Sequence, residues 1–303
     1  VFVFCFTSLG IVLLLGDGST RTLESHILRQ ASLLLDFPGA TASAVVQLVL
    51  VCIVLLIAAR VTRRAPRERL AAAPLRTMPT RMRGRLAVIV TATFAAIVVL
   101  APIAALVHAS ISARDGLTLQ FWTSLGSVDT GTTRIGDPID ALLTSLAYAA
   151  LTAIVSGLVG GLTAIASLAH RTGRVVAIVA MLPLGVSAAT LGLGTLLAFG
   201  RPPLDLRATG LLVPMAHALV AVPLVVAVAA PALRSSDGRL LAVAQSLGAR
   251  TTHAFWTAYG PVLRVVMVAA AGLAAAVSLG EFGAAAFLAR AVSPTVPVQI
   301  VRL

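Results

Sequence analysis

Long apolar runs recur along this chain, and their length limits what it can become. A helix needs about 20 mostly apolar residues to cross the hydrocarbon core of a bilayer. The runs at roughly 1–16, 40–59, 86–107, 141–168, 175–199, 208–231 and 261–289 reach or approach that length, the first being cut short. The expectation is an all-α polytopic membrane protein, because helices satisfy their own backbone groups where no water can. Composition agrees: with 58% hydrophobic and 11% charged residues, too little charge is present to cover a soluble domain of this size. The chain begins at Val1, already inside an apolar run, and reads as a fragment.

The net charge of +12 could suggest nucleic acid, but its distribution argues against that partner. Arg60, Arg63, Arg64, Arg67, Arg69, Arg76, Arg81, Arg83 and Arg85 crowd one stretch between two apolar runs. Such clustering is the positive-inside signature and places the stretch in the cytoplasm, beside anionic lipid. Alternation then puts the loops at 60–85, 169–174 and 232–260 inside, the last two carrying His170, Arg171 and Arg174, then Arg234, Arg239 and Arg250. Outer segments are balanced or acidic, with Asp17, Glu24 and Asp36 against Arg21 and Arg29, and Asp115, Asp129, Asp137 and Asp140 against Arg114 and Arg134.

Catalytic and metal chemistry find no foothold. Cys5 and Cys52 lie in apolar runs without CxxC spacing and read as packed thiols. His26, His108, His170 and His253 stand near loops without metal-ligand spacing, and no HExxH, paired aspartates or Ser-base set is present. No cofactor is expected. Phe121 and Trp122 suit an interfacial anchor near the outer headgroups. Small residues at Ser156, Gly157, Gly160 and Gly161, and in "LGLGTLLAFG" at 191–200, predict close helix packing. Pro183, Pro214 and Pro223 predict kinks.

An internal repeat organises the chain. "TSLGIVLLLG" at 7–16 and "VSLGEFGAAA" at 277–286 share Ser-Leu-Gly, and each precedes a similar segment, "TLESHILR" at 22–29 and "TVPVQIVR" at 295–302. Thr22 matches Thr295, Ile27 matches Ile300 and Arg29 matches Arg302. The order predicts two pseudo-equivalent halves, a common way to build a membrane path. Residues 1–60 would be the tail of the first half, with about two spans. Residues 61–85 would be an Arg-rich cytoplasmic linker. Residues 86–303 would be the second half, with about five spans and its last one missing.

Between two spans lies "AVAQSLGARTTHAFWTAYGP" at 242–261. "AVAQSLGA" reads as a short helix stopped by a left-handed cap at Gly248. "RTTHAFWTAY" reads as a second short segment with exposed Phe255 and Trp256, and Pro261 as the start of the next span. A bent helix pair of this kind suits a groove on another protein. Ala244, Ser246, Leu247, Gly248, Ala249 and the distance to Pro261 resemble the EAA loop of permease subunits in binding-protein-dependent ABC importers. Ala242 stands where that family has glutamate, and Gly260 where it has leucine. "MLPLGVSAATLGLG" at 181–194, "AHALVAVPLV" at 216–225 and "VSLGEFGAAAFL" at 277–288 resemble the neighbouring spans.

The resemblance covers nearly the whole chain and implies a type I importer transmembrane domain. It narrows to fused two-half permeases of the thiamine and ferric-iron importers. Ile11 where the second copy has Glu281 favours the thiamine type, with ferric iron as the alternative. The family implies a cytoplasmic ABC ATPase dimer on the 234–261 loop, an extracytoplasmic substrate-binding protein, and no covalent chemistry in the permease. Glu281, an acid inside a predicted span, reads either as lining the path or as a structural hydrogen bond, with His217 as a candidate partner. Ser278 and Phe282 flank it as candidate path residues. A proton-coupled secondary transporter would be expected to carry more intramembrane ionisable groups. A single-half permease with unrelated helices in front is a further alternative.

Overall fold

The structure, a computed structural model, describes residues 9–15, 22–64, 82–113, 116–123, 138–168, 171–236, 238–289 and 294–302. Cys5, Ser8, Asp129, Asp137, His170 and the arginines from Arg67 to Arg81 lie outside the described residues. Helices dominate, as the apolar runs predict, and five of them are long and apolar enough to cross a membrane. The chain is therefore all-α and polytopic. The described residues fall into two compact units, one made of those up to Ile57 together with those from Pro138 onward, the other of those from Ala58 to Thr123.

The larger unit opens with α1 (Leu9–Leu15), α2 (Leu23–Ser32) and α3 (Phe37–Arg64, whose last residues enter the smaller unit). It continues with α6 (Pro138–Ala166), α7 (Arg171–Met181), α8 (Ala188–Phe199), α9 (Leu212–Ser235), α10 (Arg239–Ser246), α11 (Thr251–Gly280), α12 (Gly283–Leu288) and α13 (Val296–Arg302). The smaller unit holds α4 (Met82–Ile111), a two-stranded ribbon of β1 (Ser112–Ala113) and β2 (Gly116–Leu117), and α5 (Gln120–Thr123). The span of α4 presents no buried face within its unit, as a lipid-facing helix can. Phe121 and Trp122 are exposed on α5.

At the centre of the larger unit is α9, packed against α6 and α11. The small face of α6 permits this. A methyl on Gly160 would lie 2.6 Å from Val225 Cγ1 on α9, so the two backbones approach more closely than any larger residue allows. Gly192 on α8 does the same for α12, where an added Cβ would lie 2.7 Å from the Ala284 Cα.

Three expectations about the spans are corrected. The run at 175–199 is not one straight span: α7 gives way to a 3₁₀ turn over Leu182–Gly185, and α8 departs at 108°. Pro183 removes a backbone donor, and Ser187 begins a new helix by accepting the Thr190 N–H at 3.1 Å. The run at 261–289 starts earlier and ends sooner, because α11 is continuous from Thr251 through Pro261 to Gly280. Ala258, Tyr259 and Leu263 form one buried cluster across the proline with Ala164 and Leu233, and this packing outweighs the lost hydrogen bond. Pro214 sits in the first turn of α9, where a missing N–H is harmless, whereas Pro223 lies inside the helix as expected. Cys52 also departs from expectation: it is exposed on α3 and not packed.

Candidate functional site

The polar interruption at 242–261 forms a corner. α10 ends at Ser246, and Gly248 takes φ +84°, the left-handed conformation that the cap requires. Its N–H donates to Gln245 O, while Ala249 N–H donates to Ala244 O. Around the turn, Leu247 is 82% and Trp256 57% exposed, with Leu240 and Val243 also exposed. Ser246 is exposed and donates its hydroxyl to Val243 O. Phe255, expected outside, instead turns inward and stacks on Tyr259 at 5.1 Å, packing on the core cluster of Leu233 and Ala258. Ala244 and Ala249 are half-buried, and Pro261 is exposed. The corner thus shows an apolar outer edge braced from behind by an aromatic pair.

The second set of candidates separates into two places. His217 does not pair with Glu281. Its Nδ1 meets Ser278 Oγ at 2.8 Å, and Ser278 donates to Thr152 Oγ1 at 3.3 Å, so α9, α11 and α6 are joined by one buried chain of side chains. His217 Nε2 is buried with no partner. Glu281 lies at the break between α11 and α12, where its Oε1 accepts the Gly283 N–H at 2.8 Å and caps the short helix. Phe282 sits at the same break, and Gly10 of α1 faces it: a methyl there would lie 3.7 Å from the ring. The end of the first Ser-Leu-Gly copy, at Gly10, therefore lies against the residue two past the end of the second.

A third cluster was not legible as a site. Glu24 on α2 and Gln47 on α3 are only 2% and 1% exposed. Gln47 Nε2 donates to Glu24 Oε1 at 3.2 Å, and Gln47 Oε1 accepts from Thr190 Oγ1 at 3.2 Å, with Ser187 Oγ 3.4 Å away. Burial pushes the Glu24 carboxyl above the usual carboxylate range, against the opposing pull of hydrogen bonds from Ser187, Gln47 and the Leu9 backbone. In the sequence, Glu24 reads as an outer-loop acid. The available signal was Gln47, a lone amide inside an apolar run that must find partners when buried. Among the described residues no His, Cys, Asp and Glu group could hold a metal ion.

No known family profile matches the chain. A curated protein of Salmonella paratyphi A, provisionally named the permease protein of a 2-aminoethylphosphonate transport system, is 30% identical over 167 residues. The resemblance to permease subunits of transport systems holds. The match takes in 54% of this chain and 63% of that permease, so the chain spans less than two thirds of its relative's length. With five helices of membrane-crossing length among the described residues, the chain is a multi-pass membrane protein that is similar to a transport-system permease.

Proposed function

We propose that this chain is the membrane permease of an ATP-driven, binding-protein-dependent importer in a bacterial inner membrane. It would form the path for the solute and perform no chemistry itself, ATP hydrolysis belonging to a separate cytoplasmic ATPase dimer. The observation that carries this reading is the α10–α11 corner. It is an exposed apolar edge at Leu240, Val243, Leu247 and Trp256, turned by a left-handed glycine and continuous through α11 with the membrane span. Force on such an edge moves a 30-residue helix as one body. Arginine placement supports a cytoplasmic position for the corner and for the loops at 60–85 and 169–174. An extracytoplasmic binding protein would deliver solute to the opposite side.

Residues up to about 60 belong, in this reading, to the end of one half, and those from about 86 to most of a second. The contact of Gly10 with Phe282, which joins the neighbourhoods of the two copies, supports that division. For the solute, the sequence resemblance favours thiamine, with ferric iron as the alternative, and the relative's name adds 2-aminoethylphosphonate. Uptake of each, competed by the others, separates the three.

The coupling test is Gly248→Asp. No atom crowds the position, but φ +84° strains any L side chain and the new charge falls on the apolar edge. ATP-dependent uptake should fall at least about tenfold, equivalent to about 1.4 kcal/mol of lost coupling, with membrane insertion unchanged. Normal uptake by this variant would remove the corner from the mechanism.

A further inference from the structure

The two copies of the repeat meet in the fold: Gly10, at the end of the first Ser-Leu-Gly, lies against Phe282, two residues past Gly280 of the second. In a permease built of two pseudo-equivalent halves, the path lies between the halves. Resting on the importer reading above, we propose that Glu24, Gln47, Ser187 and Thr190 form the constriction of that path, closed in this structure.

Four observations converge on these residues. They come from α2 and α3 on one side and from the start of α8 on the other, so the cluster joins the two blocks of sequence rather than bracing either alone. Gln47 lies inside the membrane-length part of α3, Phe37–Val54, and Ser187 lies at the 108° break between α7 and α8, which puts both at span depth. A break of this kind is tolerated in a membrane where the freed backbone lines a cavity or is buried in protein. Every polar atom of the Gln47 amide group is engaged: its nitrogen by Glu24, and its oxygen by Thr190 with Ser187 near. A satisfied buried network holds one arrangement firmly, and a half-broken one is costly, so the contact is two-state by its chemistry. Beside it, Leu193 on α8 closes over Ile27, Ala40 and Ala44, an apolar seal next to the polar one.

Opening for a solute therefore means withdrawing Ser187 and Thr190 from Gln47, and the break at 182–187 is the place where α8 can move independently of α7. The His217–Ser278–Thr152 chain lies wholly within the second block and holds α6, α9 and α11 together during that movement.

The test joins Gln47→Cys to Ser187→Cys in the complete transporter, with Cys5 and Cys52 changed to alanine. A short bis-thiosulfonate reagent should link the pair in the resting state. Uptake of radiolabelled 2-aminoethylphosphonate, thiamine or ferric iron, whichever the wild type carries, should then fall roughly tenfold and return on reduction. A linked transporter that still imports overturns the constriction, and so does inserted protein whose pair will not link. If the double variant is inactive before linking, passive efflux decides. Proteoliposomes carrying Gln47→Leu should lose the preloaded solute several-fold faster than wild type without ATP, and an unchanged rate overturns the proposal. Wild-type transporter that imports none of the three probes with its ATPase and binding protein present overturns the importer reading itself. Wild-type import with a harmless link overturns only the constriction.

Discussion

Two stretches of this chain start from the same local sequence and end in different surroundings. Thr22 precedes α2 and Thr295 precedes α13, with Ile27 and Ile300 at the same position in each. Thr22 closes a capping box: its Oγ1 accepts the Ser25 N–H at 3.3 Å, and Ser25 Oγ accepts the Thr22 N–H at 3.0 Å. Thr295 caps nothing through its hydroxyl, which is buried without a partner, while the first helical N–H of α13 goes to Ser145 Oγ at 2.9 Å. Ile27 is 0% exposed, enclosed by Ala40 and Ala44 of α3 and Leu193 of α8, whereas Ile300 is 55% exposed. The repeat dictates that a helix begins after each threonine. What covers that helix depends on elements elsewhere in the chain.

The sharpest way to break this comparison is truncation of the two isoleucines. Ile27→Ala should destabilise the protein by about 2–5 kcal/mol, the usual cost of emptying a close-packed site. Ile300→Ala should cost within about 0.5 kcal/mol, as exposed positions do. Thermal unfolding in detergent reads both, and equal shifts would mean that the two helices are covered alike.

A smaller contrast lies at the threonines. Thr22→Ala should cost about 1 kcal/mol through the lost cap. Thr295→Val keeps the shape and removes an unpaired buried hydroxyl, so it should be neutral or stabilising. A loss at Thr295 matching that at Thr22 would show a hydrogen bond there that the structure does not contain.

The smallest effect is confined to a pH window and concerns Glu24, whose counterpart in the second copy is Pro297. Below the ordinary carboxylate range Glu24 is protonated both folded and unfolded, and contributes no pH dependence. Its folded pKa is raised by burial, so as pH climbs from that range through the raised value the unfolded chain ionises first and stability is lost. Stability of the wild type should therefore decline across that window, while Glu24→Gln, which can still accept from Gln47, should flatten the decline.

The lengths of the apolar runs, the glycine cap at Gly248 and the close approach at Gly160 were legible in the sequence, because each depends on residues within a few turns of one helix. The fate of Phe255 and Pro261 was not. Local rules place an aromatic outside and a break at proline, but Ala258, Tyr259 and Leu263 packed on α9 kept the helix whole and drew the ring inward. Likewise, no local pattern shows that Glu281 caps α12 or that His217 selects Ser278.

By itself, the sequence determined that this chain is helical, crosses a membrane repeatedly and turns a polar corner at Gly248, since hydropathy, length and backbone conformation act over short separations. Only the tertiary structure decided that Glu24 and Gln47 meet Ser187 and Thr190. Gln47 stands 140 and 143 positions from Ser187 and Thr190, and a buried polar atom must take whatever partner the packing of helices brings within reach.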